Sequence, residues 1–278
     1  MDIQIKASFK KEILAFSRTK MFIIIAIILI GMMLTSPLMI RGLALLMDAM
    51  SDIYEEFGMD ITALTGELSS NATLGATQAV SDVSQMGLLV FLLLINGFAG
   101  GEQKKRSTII PRSAGLGSMG YILPKFIIYP LTAFVLGFIG LIAASWVSVF
   151  VFDNNDIIWS GVFTAGVLIG VYLMLYICLH LAIGTATGKA GLSSAACIVA
   201  ALLLPTVFAV MDPGGEIMAY NPFALNTTAN YIINGAEVHG EAFISAAFAV
   251  GIMVAMFFIA LFAQNAKKVD NTGNEILI

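Results

Sequence analysis

From Met21 to Ile40 the chain runs for twenty residues without a charged side chain. About 20 apolar residues in a helix cross the hydrocarbon core of a bilayer, whereas a signal-peptide core is about 7 to 15 residues and ends at a small-residue cleavage site. The run is therefore read as a retained first span. Five more apolar runs follow, at 84–101, 122–151, 158–186, 190–211 and 243–264. Hydrocarbon offers no water to backbone groups, so runs this long are predicted to be helices, and no ten-residue alternation of a membrane barrel is present. With 59% hydrophobic and 12% charged residues, a water-soluble domain is excluded on surface polarity. The expectation is an all-α, polytopic membrane protein forming one transmembrane domain over residues 1–278.

Charge sets the expected orientation. Thirteen of the fourteen Lys and Arg residues fall before the first span, between the second and third, between the fourth and fifth, or after the sixth. The positive-inside rule makes that side cytoplasmic and puts both termini there, in a multi-pass protein of a bacterial-type plasma membrane. Arg41 alone dissents. The opposite loops, 41–83 and 212–242, are acidic, and Asp82 is assigned to the first of them.

Shorter patterns fill in the ends. In residues 1–20, Ile5, Phe9, Ile13 and Phe16 recur at helical spacing with Lys6, Lys10 and Lys11 mostly off that stripe, predicting a helix lying in the cytoplasmic interface. Past Pro37, Leu43, Leu46, Met47, Met50, Ile53, Tyr54 and Phe57 predict an outer-surface helix packed on the bundle or on a partner. The last outer loop carries DPGGE, NPF and NTTAN turn signals among apolar residues, predicting a folded cap. Asn71 and Asn226 each open a glycosylation sequon.

Against this background the segment GGEQKKRSTIIPRSAG, residues 100–115, is anomalous. Its charge has two readings: it fixes orientation, or it forms a docking element for another protein. An acid among the bases, and Ile109 and Ile110 beside Pro111, point to docking.

The interfacial helix, six spans, the Gly101-Glu102 pair ending the second span, the basic cluster with Ser107-Thr108, Pro111-Arg112-Ser113, and Lys125 opening the third span together resemble the permease subunit of ABC-2 type ATP-binding cassette transporters. The family stretch reads E-x-x-x-G-T-x-x-x-L-x-x-P-x-S-R; here Ser107 replaces the Gly, and the ending is shortened. The NPF at 221–223 adds to the likeness. The resemblance implies a cytoplasmic coupling helix within 102–121 that fits a cleft on an ABC ATPase subunit. Glu102, Lys104, Lys105, Arg106, Thr108, Ile109, Pro111 and Arg112 are then the docking residues. It further implies a second permease subunit, identical or paralogous, with the path between second and fifth spans, and export of an amphipathic peptide, drug or lipid. ATP and Mg would sit on the ATPase. Membrane lipid is the remaining partner, and no nucleic acid is expected.

This chain is not expected to be an enzyme. The GxGxxG at 115–120 lacks a preceding strand and a ribose-binding acid, and the run at 184–190 has too few residues between its glycines for a P-loop. Only His180 and His239 are present, without metal-ligand spacing, and Cys178 and Cys197 sit in apolar runs as packing residues. No catalytic, cofactor-binding or metal residue is assigned. Two other classes stay open: an ion-gradient-driven carrier, disfavoured by spans read as free of acids and bases, and a non-transporting immunity or scaffold protein. Gly97, Gly101, Gly137, Gly140, Gly166, Gly170 and Gly251 mark expected close helix contacts.

Overall fold

A computed structural model describes residues 2–56, 66, 68, 71–97, 117–154, 156–211, 220–237, 240–269 and 275–277. A leading helix, Asp2–Arg18, ends at a left-handed Lys20 (φ 54°), which turns the chain into the first span. Six helices are long and apolar enough to cross a membrane: Met21–Ala49, Ala72–Gly97, Ser118–Phe152, Trp159–Thr187, Ala190–Met211 and Gly240–Asn265. Ser51–Glu56 adds a short helix after the first span. A 3-10 turn, Pro222–Ala224, and a cap helix, Leu225–Ile233, precede the sixth. The one sheet among the described residues is a C-terminal antiparallel pair, Lys267–Val269 with Glu275–Leu277. The protein is all-α and multi-pass. The expected coupling helix, with all eight docking residues, lies outside the described residues.

The helices are longer than their apolar runs. The first continues through Pro37 and Arg41 to Ala49, so the predicted outer helix is largely an extension of the span. Its stripe does not pack on the bundle: Leu43, Leu46 and Ile53 are exposed. The second helix begins at Ala72, twelve residues ahead of the apolar run at 84, because Thr77, Gln78, Ser81 and Asp82 find protein partners for their polar groups. Asp82 therefore belongs to the second span and not to a loop, and Lys125 lies seven residues into the third helix. Both correct the reading of the spans as free of charge.

The fourth span is the centre of the bundle. Of its most apolar stretch 72% is buried, against 17% for the fifth span and 22% for the sixth, whose Leu202, Leu203, Phe258 and Phe262 face outward. Small residues set the close approaches. A Cβ added at Gly137 would lie 2.8 Å from Leu173 Cδ1, and one at Gly140 would lie 2.5 Å from Met33 Sδ. Gly166 and Gly170 are likewise covered by Phe138 and Phe134. Gly97 and Gly251 have open space beside them and do not mark contacts among the described residues.

Two ends follow from these contacts. At the basic end Tyr121 and Ile122 of the third span, Ala182 of the fourth and Ala260 of the sixth form a small cluster, with Phe126 and Phe257 edge-to-face at 5.6 Å. At the acidic end Gly75 of the second span is hemmed in by Pro37, Ser148 and Phe152, and Gly161 of the fourth by the Ile232 carbonyl of the cap helix.

Candidate functional site

The leading helix is held to the third span by a buried ion pair. Lys125 Nζ lies 3.0 Å from Glu12 Oε1, and both side chains are 2% exposed. Tyr129, one turn along the third span, donates its hydroxyl to Glu12 Oε2 at 3.1 Å. Both carboxylate oxygens are thus engaged. Lys125 Nζ also sits 5.1 Å from the centre of the Tyr121 ring, a cation–π distance. Phe16 closes the outside of this arrangement edge-to-face on Tyr129 at 5.2 Å. The packed face of the leading helix is therefore Ser8, Glu12 and Phe16, while Ile13 of the predicted stripe is 54% exposed.

Burying two charges is costly unless pairing and hydrogen bonds satisfy them, so this set is unlike a surface ion pair. Glu12 and Tyr129 were not among the expected site residues. The available signal was Lys125 itself: a cation inside an apolar run needs a partner, and Glu12 is the only acid between Asp2 and Asp48.

A second polar system lies toward the acidic end, between the second span and the cap helix. Asn226, Asn230 and Asn234, spaced four apart on one face of the cap helix, donate their amides to Ser84 Oγ, Ser81 Oγ and Thr77 Oγ1, each at 3.3 Å. Each hydroxyl in turn donates to a carbonyl of its own helix: Ser84 to Ser81 O, Ser81 to Thr77 O, Thr77 to Thr73 O. A hydroxyl has one proton, so each is left as an acceptor and fixes the amide nitrogen toward it. Asn226 is thereby tied into a helix contact, which corrects its reading as an accessible glycosylation site. Asn71 caps the second span, its Oδ1 accepting from Leu74 N–H at 3.2 Å.

Beside this ladder Ser36 of the first span donates to Asp82 Oδ2 at 2.6 Å, and Gln78 donates to Oδ1 at 2.8 Å. Ser36 is fifteen residues from the start of its helix, a rise of about 22 Å, which puts the carboxylate inside the span's length.

The second span then makes a π turn over Val83–Gly87, where Leu88 N–H reaches Val83 O in place of Ser84 O. The Ser84 carbonyl instead lies 3.5 Å from Tyr172 OH of the fourth span. π turns locally displace one helix face and recur at functional sites. Here the displaced face opens a cavity of about 550 Å³ between the second, fourth and fifth spans and the cap helix. Ser84, Asn226 and Thr227 line its outer end, and Leu88, Leu92 and Ile198 line the rest. Ser194 of the fifth span, donating to Leu92 O at 3.3 Å, ties the two spans together at its inner end.

The remaining sequence candidates are structural. His180 is fully buried beside the Ser193 backbone, and Cys178 and Cys197 are buried free thiols. The run at 184–190 forms the end of the fourth span, closed by Gly188 in a left-handed turn (φ 66°) that donates to Gly184 O. Among the described residues no group of three or more His, Cys, Asp or Glu side chains could hold a metal ion. Comparison with known proteins gives no match to a family model, a curated protein or a solved structure.

Proposed function

We propose that this chain is the membrane-spanning subunit of an ATP-driven exporter, coupled through residues 102–116 to a separate ATPase subunit and assembled with a second permease subunit in the cell membrane, both termini cytoplasmic. The observation that supports this reading best is the Glu12–Lys125–Tyr129 clamp at the basic end, directly after that connection. A force applied to the connection enters the third span at Ser118. Because the clamp joins the leading helix to the same turns, the two move as one body, and the load reaches the fourth span through the Gly137, Gly166 and Gly170 contact. ATP and Mg belong to the partner. The outer cavity, between second and fifth spans, gives an amphipathic cargo a place to reside.

Replacing Lys104, Lys105 and Arg106 together by Glu tests the reading. Membrane insertion is expected to survive, while ATPase association and transport are lost. Normal assembly and transport by the triple variant would overturn it.

Asp82 favours one other reading, a carrier driven by an ion gradient, because an intramembrane carboxylate is the kind of group that binds a coupling ion. Asp82→Asn separates the two. The exporter reading expects ATP-dependent transport to persist in reconstituted vesicles, and the carrier reading expects gradient-driven transport to vanish.

A further inference from the structure

We infer that the cavity at the π turn is a binding site for a neutral, single-chain amphiphile whose head group carries a hydroxyl or amide N–H donor. The first ground is the distribution of chemistry along its wall. None of the residues lining the cavity is charged, so a phosphate, carboxylate or ammonium head would enter without a counter-charge, a costly transfer at this depth. The polar groups gather at one end. From Ser84 to Leu92 the second span advances eight residues, about 12 Å toward the basic end, and over that distance its lining changes from hydroxyl to Leu88, Leu89 and Leu92. A ligand that matches this gradient has its head outward and its tail toward the bilayer centre.

The second ground is an unsatisfied acceptor. Asn226 Nδ2 is committed to Ser84 Oγ, and Ser84 Oγ has already given its proton to Ser81 O. The amide cannot turn over without facing an acceptor with an acceptor. That leaves Asn226 Oδ1 buried with no hydrogen-bond partner, in a residue that lines the cavity. A buried carbonyl oxygen without a donor costs about 1–3 kcal/mol, and a donor on the ligand's head group would relieve it. Phosphocholine and methyl-ester heads have no such donor.

The third ground is access. Met86 and Leu202, both in the lining, are 60% and 64% exposed, on the second and fifth spans respectively. The mouth between them opens sideways from the bundle at the level of the spans, so a membrane-dissolved molecule reaches the site without crossing water. A volume of about 550 Å³ lies within the range of small-molecule sites. The inference does not depend on the ATPase reading: binding is a property of this chain alone, and an exporter that failed to recruit an ATPase would still bind.

The test uses the full chain in phosphocholine nanodiscs, with binding read by native mass spectrometry and by titration. Three probes share one oleoyl chain: monooleoylglycerol with hydroxyl donors, methyl oleate with none, and lysophosphatidylcholine with a charged head. Monooleoylglycerol is expected to bind saturably, one per chain, at least about tenfold more tightly than either of the others. Ala201→Phe, which fills the cavity, should abolish binding, and Asn226→Ala should weaken it about tenfold while removing the preference over methyl oleate. Equal binding of all three probes to the unaltered chain would overturn the proposal and leave the cavity a non-selective lipid groove. Failure of monooleoylglycerol to bind, or dimerisation through the same face that excludes it, would overturn it as well. The probe series on the unaltered chain keeps the test decisive if a variant fails to fold.

Discussion

Glu12 and Lys125 show how one pair can set the position of a whole element. Each side chain is 2% exposed, so removing either leaves its partner as an uncompensated buried charge, a loss of about 3–5 kcal/mol. Lys125→Met is therefore expected to lower the melting temperature of the purified protein sharply and to release the leading helix to protease. The double variant Glu12→Gln, Lys125→Met leaves no orphan charge and should recover most of the stability. If the double variant is as unstable as the single one, the pair is not a coupled unit. Asp82 differs in kind: its two oxygens are served by neutral donors, Ser36 and Gln78, so it carries its charge into the span without a cation among those bonds.

At the scale of the element, the cap helix and the outer half of the second span form one unit through three repeats of the same asparagine–hydroxyl bond. Asn230→Ala removes the middle rung and strands Ser81 Oγ as an acceptor. A cost of about 1 kcal/mol is expected, read as faster amide exchange over the cap helix with the first span unchanged; unaltered exchange in the cap would show that the ladder does not hold it down. This unit was the part least legible in the sequence. Hydrocarbon-length runs located all six spans because bilayer thickness dictates the signal. The start of the second was hidden because Thr77, Gln78, Ser81 and Asp82 read as loop residues until the partners from the first span and cap helix are known. The leading helix was legible as a helix, but its packed face was not. The stripe of Ile5, Phe9, Ile13 and Phe16 describes apolar material, whereas the face that packs is organised around a carboxylate, Glu12. Glycine spacing had the same limit: Gly137, Gly140, Gly166 and Gly170 sit at contacts and Gly251 does not, although the sequence pattern treats them alike.

At the scale of the whole molecule, the arrangement is a central fourth span ringed by elements with different amounts of cover. The fifth and sixth spans present wide apolar faces, suited to lipid or to a second permease subunit. The basic end carries the clamp, the acidic end carries the ladder and cavity, and the third span, 35 residues long, runs between them. In the proposed cycle the ATPase acts at the first end and the cargo is released at the second. The central claim is that residues 102–116 are gripped by an ATPase, and photo-crosslinking tests it most directly. A photoreactive residue placed at Thr108 in the native membrane is predicted to capture an ATPase subunit with a nucleotide-binding fold, and capture should fall when Lys104, Lys105 and Arg106 are replaced by Glu. Crosslinks to lipid alone, or to proteins without a nucleotide-binding fold, would contradict the account.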